Sequence, residues 1–250
     1  MDAFDPAVYG DSVAEIYDER LSETQRETNL TVDFLAPLAA ELGGPVLELG
    51  IGTGRVAIPL AERGFTVHGI DASPKMLEKL RTKPGAERIE ATLGDFSDLS
   101  ALHASYGLIF LVFNTLFALT TQEAQIRCFA SVAERLRPGG KFVVHAFVPD
   151  PVRLAQRQYI EIRSVDVDSV RLNLSRYDPT IQKISMVHLV IDARGTHLYP
   201  VPMRYAYPAE IDLMARLAGL VLRERWSSYT REPFAADSRL HLSIYERPAL

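Results

Sequence analysis

The chain has 250 residues, 47% of them hydrophobic, enough for one large globular domain or a core with a subdomain. Its 27 Lys+Arg against 32 Asp+Glu leave a net charge of −5 with no basic run, which argues against nucleic acid or an anionic membrane surface as a partner. The single cysteine, Cys128, excludes an intrachain disulfide and fits a reducing compartment, and no apolar run approaches the ~20 residues that span a bilayer. The acidic start Met1-Asp2-Ala3-Phe4-Asp5 lacks the basic-then-apolar pattern of a signal peptide, so a cytoplasmic protein is expected.

Residues 8 to 42 read as helical in two pieces. Val13, Ile16 and Tyr17 share one face, and Val32, Leu35, Leu38 and Leu42 share another after the polar stretch Ser22 to Asn29. Arg20 and Arg26 read as solvated charge, with a ligand carboxylate as the alternative partner. Gly43-Gly44-Pro45 then breaks the pattern, and Val46, Leu47 and Leu49 form a buried strand. Glycines follow at positions 50, 52 and 54, and helical spacing resumes from Val56 to Arg63. Strand, glycine turn and helix let backbone N–H groups approach a ligand at a helix N-terminus. A dinucleotide site wants Gly-x-Gly-x-x-Gly, but its third glycine would fall at Arg55, and the strand carries Glu48, a poor neighbour for a pyrophosphate. A carboxylate suits a ligand with a cation.

Glu48-Leu49-Gly50-Ile51-Gly52-Thr53-Gly54 resembles motif I of the class I S-adenosylmethionine-dependent methyltransferases, whose cofactor carries an ammonium and a sulfonium but no phosphate. The resemblance implies an α/β fold, a seven-stranded doubly wound Rossmann-like sheet. It also implies cofactor contacts from Glu48, Gly50, Gly52, Thr53, Gly54 and Arg55. In similar enzymes an N-terminal Tyr-Asp helix closes over the cofactor. Tyr17-Asp18 stands at that place, with Tyr9 directed to the acceptor; the alternative for both tyrosines is ordinary amphipathic packing.

Phe65 to Ile70 is the second strand, ending in Asp71, and the resemblance also assigns the next residue, Ala72, to the cofactor. An acid here can accept from both ribose hydroxyls, in this cofactor or in NAD alike. Ser73-Pro74 starts the next helix as N-cap and first-turn proline, with Met76 placed either against adenine or in the core. Ile89 to Leu93 is the third strand, closed by Gly94-Asp95-Phe96, where the family binds adenine; a plain turn is the alternative for Asp95. Leu108 to Phe113 is the fourth. Its end, Phe113-Asn114-Thr115-Leu116-Phe117, lies in the family beside the methionine part of the cofactor and the acceptor. Phe113 and Asn114 are assigned to the cofactor by that likeness, and Thr115 and Phe117 to the acceptor, with the core as the alternative for both phenylalanines. Gln122 to Leu136 is an amphipathic helix, with Cys128 inert on or beside its apolar face. Pro138-Gly139-Gly140 breaks it before a fifth strand, Phe142 to Phe147.

His145 and Phe147 lie at the carboxyl end of that strand and are assigned to the acceptor. A neutral imidazole there can act as general base, with a packed strand histidine as the alternative. From Pro149 the α/β alternation stops. Gln158 to Val167, Val170 to Tyr177, Ile181 to Asp192 and Thr196 to Tyr207 read as an antiparallel sheet inserted before the last helix, a cap over the acceptor or a homodimer contact. Tyr199, Pro200, Pro202, Tyr205 and Tyr207 are its candidate pocket residues, while His188 and His197 read as sheet or surface positions. Pro208 to Ala218 is the last helix, ended by Gly219. Leu220 to Trp226 and Leu240 to Tyr245 complete the sheet, the last strand antiparallel and inserted.

The expected division is therefore a helical lid over 1–42, a cofactor core over 43–150, the β insertion over 151–207 and the core's completion over 208–250. The expected activity is methyl transfer from S-adenosyl-L-methionine to an N or O nucleophile of a small-molecule acceptor. The general likeness is to enzymes of bacterial secondary metabolism, including aminosugar N-methyltransferases. No Asn/Asp-Pro-Pro-aromatic tetrapeptide of the nucleic-acid aminomethylating enzymes occurs, and no metal site is expected. An NAD-dependent oxidoreductase and a non-catalytic cofactor-binding paralogue are the alternatives.

Overall fold

The computed structural model describes residues 7–15, 17–18 and 25–249. Arg20 and much of the polar stretch after it lie outside the described residues. The first described helix, α1 (Ala7–Val13), precedes a longer one, α2 (Gln25–Leu42). The sheet then begins with β1 (Val46–Leu49), β2 (Val67–Asp71), β3 (Ile89–Leu93) and β4 (Tyr106–Leu111). Between them lie α3 (Ala57–Glu62) after β1 and α4 (Pro74–Arg81) after β2. A helix α5 (Gln122–Arg135) leads into β5 (Leu136–Phe147).

All six residues of β4 are buried, as a strand covered on both faces requires. Alternate residues serve opposite layers. Ile109 and Leu111 join a core under α5 with Phe129 and Phe142, while Leu108 and Phe110 join one under α2, α3 and α4 with Leu35, Leu60 and Leu80. This double winding is what the continuous apolar run predicts.

Two features differ from the sequence reading. β5 starts at Leu136, because Leu136 pairs with Tyr106 before a register shift, and Gly139 within it donates to the Arg247 carbonyl at 2.7 Å. A short helix, α6 (Pro151–Ala155), interrupts the stretch read as β-rich. Asp150 caps it by accepting from Val152 N–H, with Pro151 in the first turn.

The insertion is a four-stranded antiparallel meander of β6 (Gln158–Val165), β7 (Val170–Asp178), β8 (Lys183–Asp192) and β9 (Gly195–Arg204). After α7 (Pro208–Leu217), β10 (Val221–Trp226) and β11 (Leu240–Glu246) close the main sheet in the order β10-β11-β5-β4-β1-β2-β3. β11 is antiparallel to both neighbours, so the inserted last strand stands where it was expected.

The N-terminal segment joins core and cap: Val13 and Ala14 pack on Met76 of α4, with Tyr9, Tyr17 and Tyr199 against them. Gly69 of β2 shows how tightly the core supports the turn after β1. A Cβ there would overlap the end of Ile51 and stand 2.7 Å from its Cβ. Gly69→Ala is expected to cost about 1–3 kcal/mol, read as a lower denaturation midpoint with unchanged slope.

Candidate functional site

The turn after β1 is built for close approach. Gly50 (φ 69°) and Gly52 (φ 55°) are left-handed, a conformation glycine adopts without a Cβ penalty. A Cβ on Gly50 would meet Thr115 Cγ2 at 2.5 Å, whereas nothing stands within 4 Å of the corresponding point on Gly52. Asp71, at the end of β2, ties this turn to the next one. Its Oδ2 accepts from Gly52 N–H and its Oδ1 from Ser73 N–H, each at 2.8 Å. Burial raises its pKa, and these backbone donors oppose the shift.

Glu48 is 4% exposed, and its Oε2 has no partner among the described residues. Burial pushes its carboxyl well above the usual range, Asp71 adds to this, and the Ala57 backbone N–H and Arg55 oppose it. An unpartnered buried carboxylate oxygen costs free energy until a donor meets it. It is a socket for a hydroxyl or an ammonium.

These groups line a cavity of about 320 Å³ at the carboxyl ends of the parallel strands, together with Tyr9, Tyr17, Arg55, Ala72, Met76, Phe96, Phe113, Asn114 and Thr115. Arg55 donates from Nε to Thr28 Oγ1 at 2.6 Å and lies over the Phe113 ring at 3.8 Å, which links α2 to the end of β4. The roof comes from the cap: Met186 and His188 of β8 and Val201, Pro202 and Met203 of β9.

Of the candidate pocket residues that the sequence offered in the insertion, Pro202 alone is on this wall. Tyr199 packs with the Met76 cluster, and Tyr205 is buried edge-on to the exposed Tyr207. His188, read as a sheet or surface position, lines the cavity instead. The signal was its alternation: it shares the inner face of β8 with Met186.

Seven expected cofactor or acceptor residues stand off this wall, His145 and Phe147 among them. Thr53 is buried and donates to Asp18 at 2.7 Å. Gly54 (φ 81°) packs against Leu80 of α4. Gly94 and Asp95 form the turn after β3, where the exposed Asp95 accepts from Ser97 N–H at 2.8 Å, so of this trio only Phe96 reaches the cavity. Phe117 is fully buried against Phe147, with ring centroids 4.8 Å apart. Cys128 is buried, and burial raises its thiol pKa, so it is inert as expected.

His145 requires the largest correction. It is 2% exposed and lines neither this cavity nor the one described below. Its Nδ1 accepts from Phe113 N–H at 3.1 Å and lies 2.8 Å from the Tyr229 hydroxyl. Burial, with a smaller contribution from Arg55, lowers its pKa to about 4. A base needs reach to the proton it removes, and this imidazole has none.

What it does hold is the end of β4. Phe113 (φ 55°) and Asn114 (φ 68°) are consecutive left-handed non-glycine residues, which persist only where the surroundings fix them. Asn114 also donates its N–H to the His145 carbonyl at 3.2 Å and accepts from Phe147 N–H at 2.7 Å.

A histidine with a depressed folded pKa stabilises the fold above its unfolded value, and that stability is lost as pH falls from about 6.5 to about 4. His145→Gln is therefore expected to flatten the slope of unfolding free energy against pH in this window, by about 1.4 kcal/mol per pH unit. Denaturant titrations of both proteins across the window check it, and parallel slopes would contradict it.

A second cavity, of about 530 Å³, lies between the end of β5, α6 and the inner face of the cap. It shares Asn114, Met186 and Met203 with the first. Phe147, Tyr159, Tyr177, Ile184 and Leu240 give it apolar surface, and Asp150, Arg153, Glu161, Asn173 and Ser175 polar surface. Phe147, expected at the acceptor, is on this wall.

Residues 46–140 match the methyltransferase domain family. The chain is 34% identical over 249 residues to the cypemycin N-terminal methyltransferase of a Streptomyces species, covering 97% of this chain and 99% of that one. The CcbJ methyltransferase of Streptomyces caelestis superimposes with a TM-score of 0.90 at 41% identity, over 99% of this chain and all of that one. DesVI of Streptomyces venezuelae shares the fold at 20% identity and a TM-score of 0.69, each chain covered in full. The dinucleotide alternative finds no support in these relatives, and a buried carboxylate beside the glycine turn opposes it on electrostatic grounds. With an α/β sheet, a glycine turn flanked by Glu48 and Asp71 and a full-length relative of this kind, the chain belongs to the S-adenosylmethionine-dependent methyltransferases.

Proposed function

We propose that the chain methylates an amine nitrogen of a small-molecule acceptor held in the second cavity, beneath the cap. The observation that carries this reading is the junction of the two cavities at Asn114, Met186 and Met203, which lets one molecule meet another across a shared wall. Nitrogen is favoured over oxygen by the full-length relative that acts on an N-terminus.

The residues of the first cavity fit the cofactor. In this reading Glu48 takes its ammonium on the unpartnered Oε2, Asp71 takes the ribose hydroxyls, and Ala72, Met76 and Phe96 flank the adenine. When bound, S-adenosylmethionine supplies an activated methyl group on sulfur. The chain's own contribution is placement. The braced Phe113-Asn114 turn, Tyr9 and Tyr17 from the N-terminal segment and the cap together close the junction and exclude water.

The test is a screen of primary and secondary amines of mixed polarity with S-adenosylmethionine, read as methylated product and S-adenosylhomocysteine. Methylated hydroxyl compounds without methylated amines would contradict it.

Among the described residues no helix is long and apolar enough to cross a membrane. The buried lone cysteine suits a reducing setting, and we place the protein in the cytoplasm, in secondary metabolism. We also place a second copy of the chain on the outer face of the cap. Two cross-strand rows there are apolar throughout: Ile160, Leu174, Val187 and Pro200, then Ile162, Leu172, Leu189 and Leu198. Ile160, Ile162 and Leu198 are each more than 60% exposed. An apolar sheet face of this kind can pair with itself about a two-fold axis. Sedimentation of Ile162→Glu is expected to show loss of a dimer that the unaltered protein forms; a monomeric unaltered protein would contradict it.

A further inference from the structure

One row of paired residues on the inner face of the cap is polar from end to end. Glu161 of β6 stands opposite Asn173 of β7, Asn173 opposite His188 of β8, and His188 opposite Tyr199 of β9. On the side nearer the main sheet, the adjoining row is Tyr159, Ser175, Met186 and Val201. The polar row runs from one cavity to the other, since Glu161 and Asn173 line the second and His188 the first.

Its hydrogen bonds have one consistent direction. The Glu161 carboxylate can only accept, so Asn173 turns its amide NH₂ to Glu161 Oε2, at 3.1 Å. The Asn173 carbonyl oxygen then faces His188 Nδ1, at 2.6 Å. An imidazole nitrogen facing a carbonyl oxygen must carry the proton, so the lone pair of the neutral ring is on Nε2.

We propose that His188 is the group that removes the proton from the acceptor's ammonium, with Asn173 and Glu161 as the residues that position it. The proposal rests on the amine reading above. The step is a proton transfer: the acceptor R–NH₃⁺ gives H⁺ to Nε2, leaving R–NH₂ with its lone pair and His188 as imidazolium. The imidazolium later returns that proton to water. An imidazole ring can both accept and release a proton. Growing positive charge on His188 is met through Asn173 by the Glu161 carboxylate.

Among the described residues, the ionisable groups around His188 on the cap side are Glu161 with its ion-pair partners Arg153 and Arg163, Arg171 one row along β7, and Tyr199 and His197 on β9. Across the cavity stand Tyr9 and Tyr17 of the N-terminal segment, Glu48, Arg55 and Asp71.

Two measurements test the proposal. Histidine-labelled protein loaded with S-adenosylhomocysteine needs no acceptor, and its NMR spectrum reports which ring nitrogen of His188 is protonated. The expected result is Nδ1–H in the unaltered protein and a shift toward Nε2–H in Asn173→Leu. A wild-type ring protonated at Nε2 overturns the proposal. The second measurement is turnover against pH, with whichever amine from the screen reacts fastest. His188→Gln is expected to lower kcat by ~10²-fold or more and to abolish the acidic limb, with S-adenosylhomocysteine affinity measured alongside so that any binding loss is separated from the loss of kcat. Asn173→Asp keeps an acceptor for Nδ1–H and adds negative charge, so its acidic limb should move to higher pH. Unaltered kcat and pH profile in His188→Gln would end the proposal while leaving amine methylation intact. A screen in which no amine reacts would end that reading instead.

Discussion

Asp71→Ala is expected to weaken S-adenosylmethionine binding by about 2–4 kcal/mol, since it removes a carboxylate placed for two charge-assisted bonds. The structure adds a second consequence. Both Asp71 oxygens already accept backbone N–H groups, from Gly52 and Ser73, so the alanine also unties the glycine turn from the start of α4. A stability loss of about 1–3 kcal/mol is expected with the affinity loss, from two partly buried donors left unpaired. Asp71→Asn separates the two effects: one amide oxygen can still accept from one backbone donor. Calorimetry with S-adenosylhomocysteine on all three proteins, alongside their denaturation midpoints, checks this. Equal affinities would place the cofactor elsewhere.

Glu48→Gln is expected to act in opposite directions on stability and binding. The unliganded fold should gain about 1–3 kcal/mol at neutral pH, because a buried carboxylate with an unpartnered oxygen becomes neutral. Cofactor affinity should fall about 10²-fold, as a charged acceptor facing an ammonium is lost. The pH dependence has a definite sign. A carboxyl whose folded pKa is raised stabilises the fold below its unfolded value of 4.5, and that stability is lost as pH rises through the folded pKa. The glutamine should abolish this decline. His145 contributes the opposite trend, so only the paired comparison of mutant and parent isolates either group.

The core was legible because its signals are local. Alternation and apolar runs marked β1 to β4, and Ser73-Pro74 marked the start of α4 through a cap that the structure realises as Ser73 Oγ accepting from Met76 N–H at 3.1 Å. The insertion was legible as strands for the same reason. Which of its residues face the cavity required the register. Counting aromatics picked Tyr205 and Tyr207, whereas the wall is made by Met186, His188, Val201 and Met203, inner-face positions of paired strands.

His145 was misread because position along a strand does not show which face a side chain takes or what returns to cover it. Tyr229 does so from a loop 84 residues away in sequence. Asp95 was likewise placed by its motif at a strand end, yet its side chain closes its own turn. A fixed spacing identifies the chemistry a family needs. Each side chain's partner is settled by tertiary contacts that the spacing does not contain.

The central claim is that an amine acceptor sits in the second cavity and is methylated at the junction. The most direct test pairs the unaltered protein with Ser175→Trp, which fills that cavity from the inner face of β7 at a residue that lines the second cavity and not the first. Mass spectrometry of an amine acceptor, with S-adenosylhomocysteine binding measured on both proteins, gives the readout. The expected result is N-methylated product from the unaltered protein, little or none from Ser175→Trp, and the same S-adenosylhomocysteine affinity in both. Equal product from the two proteins would contradict the claim.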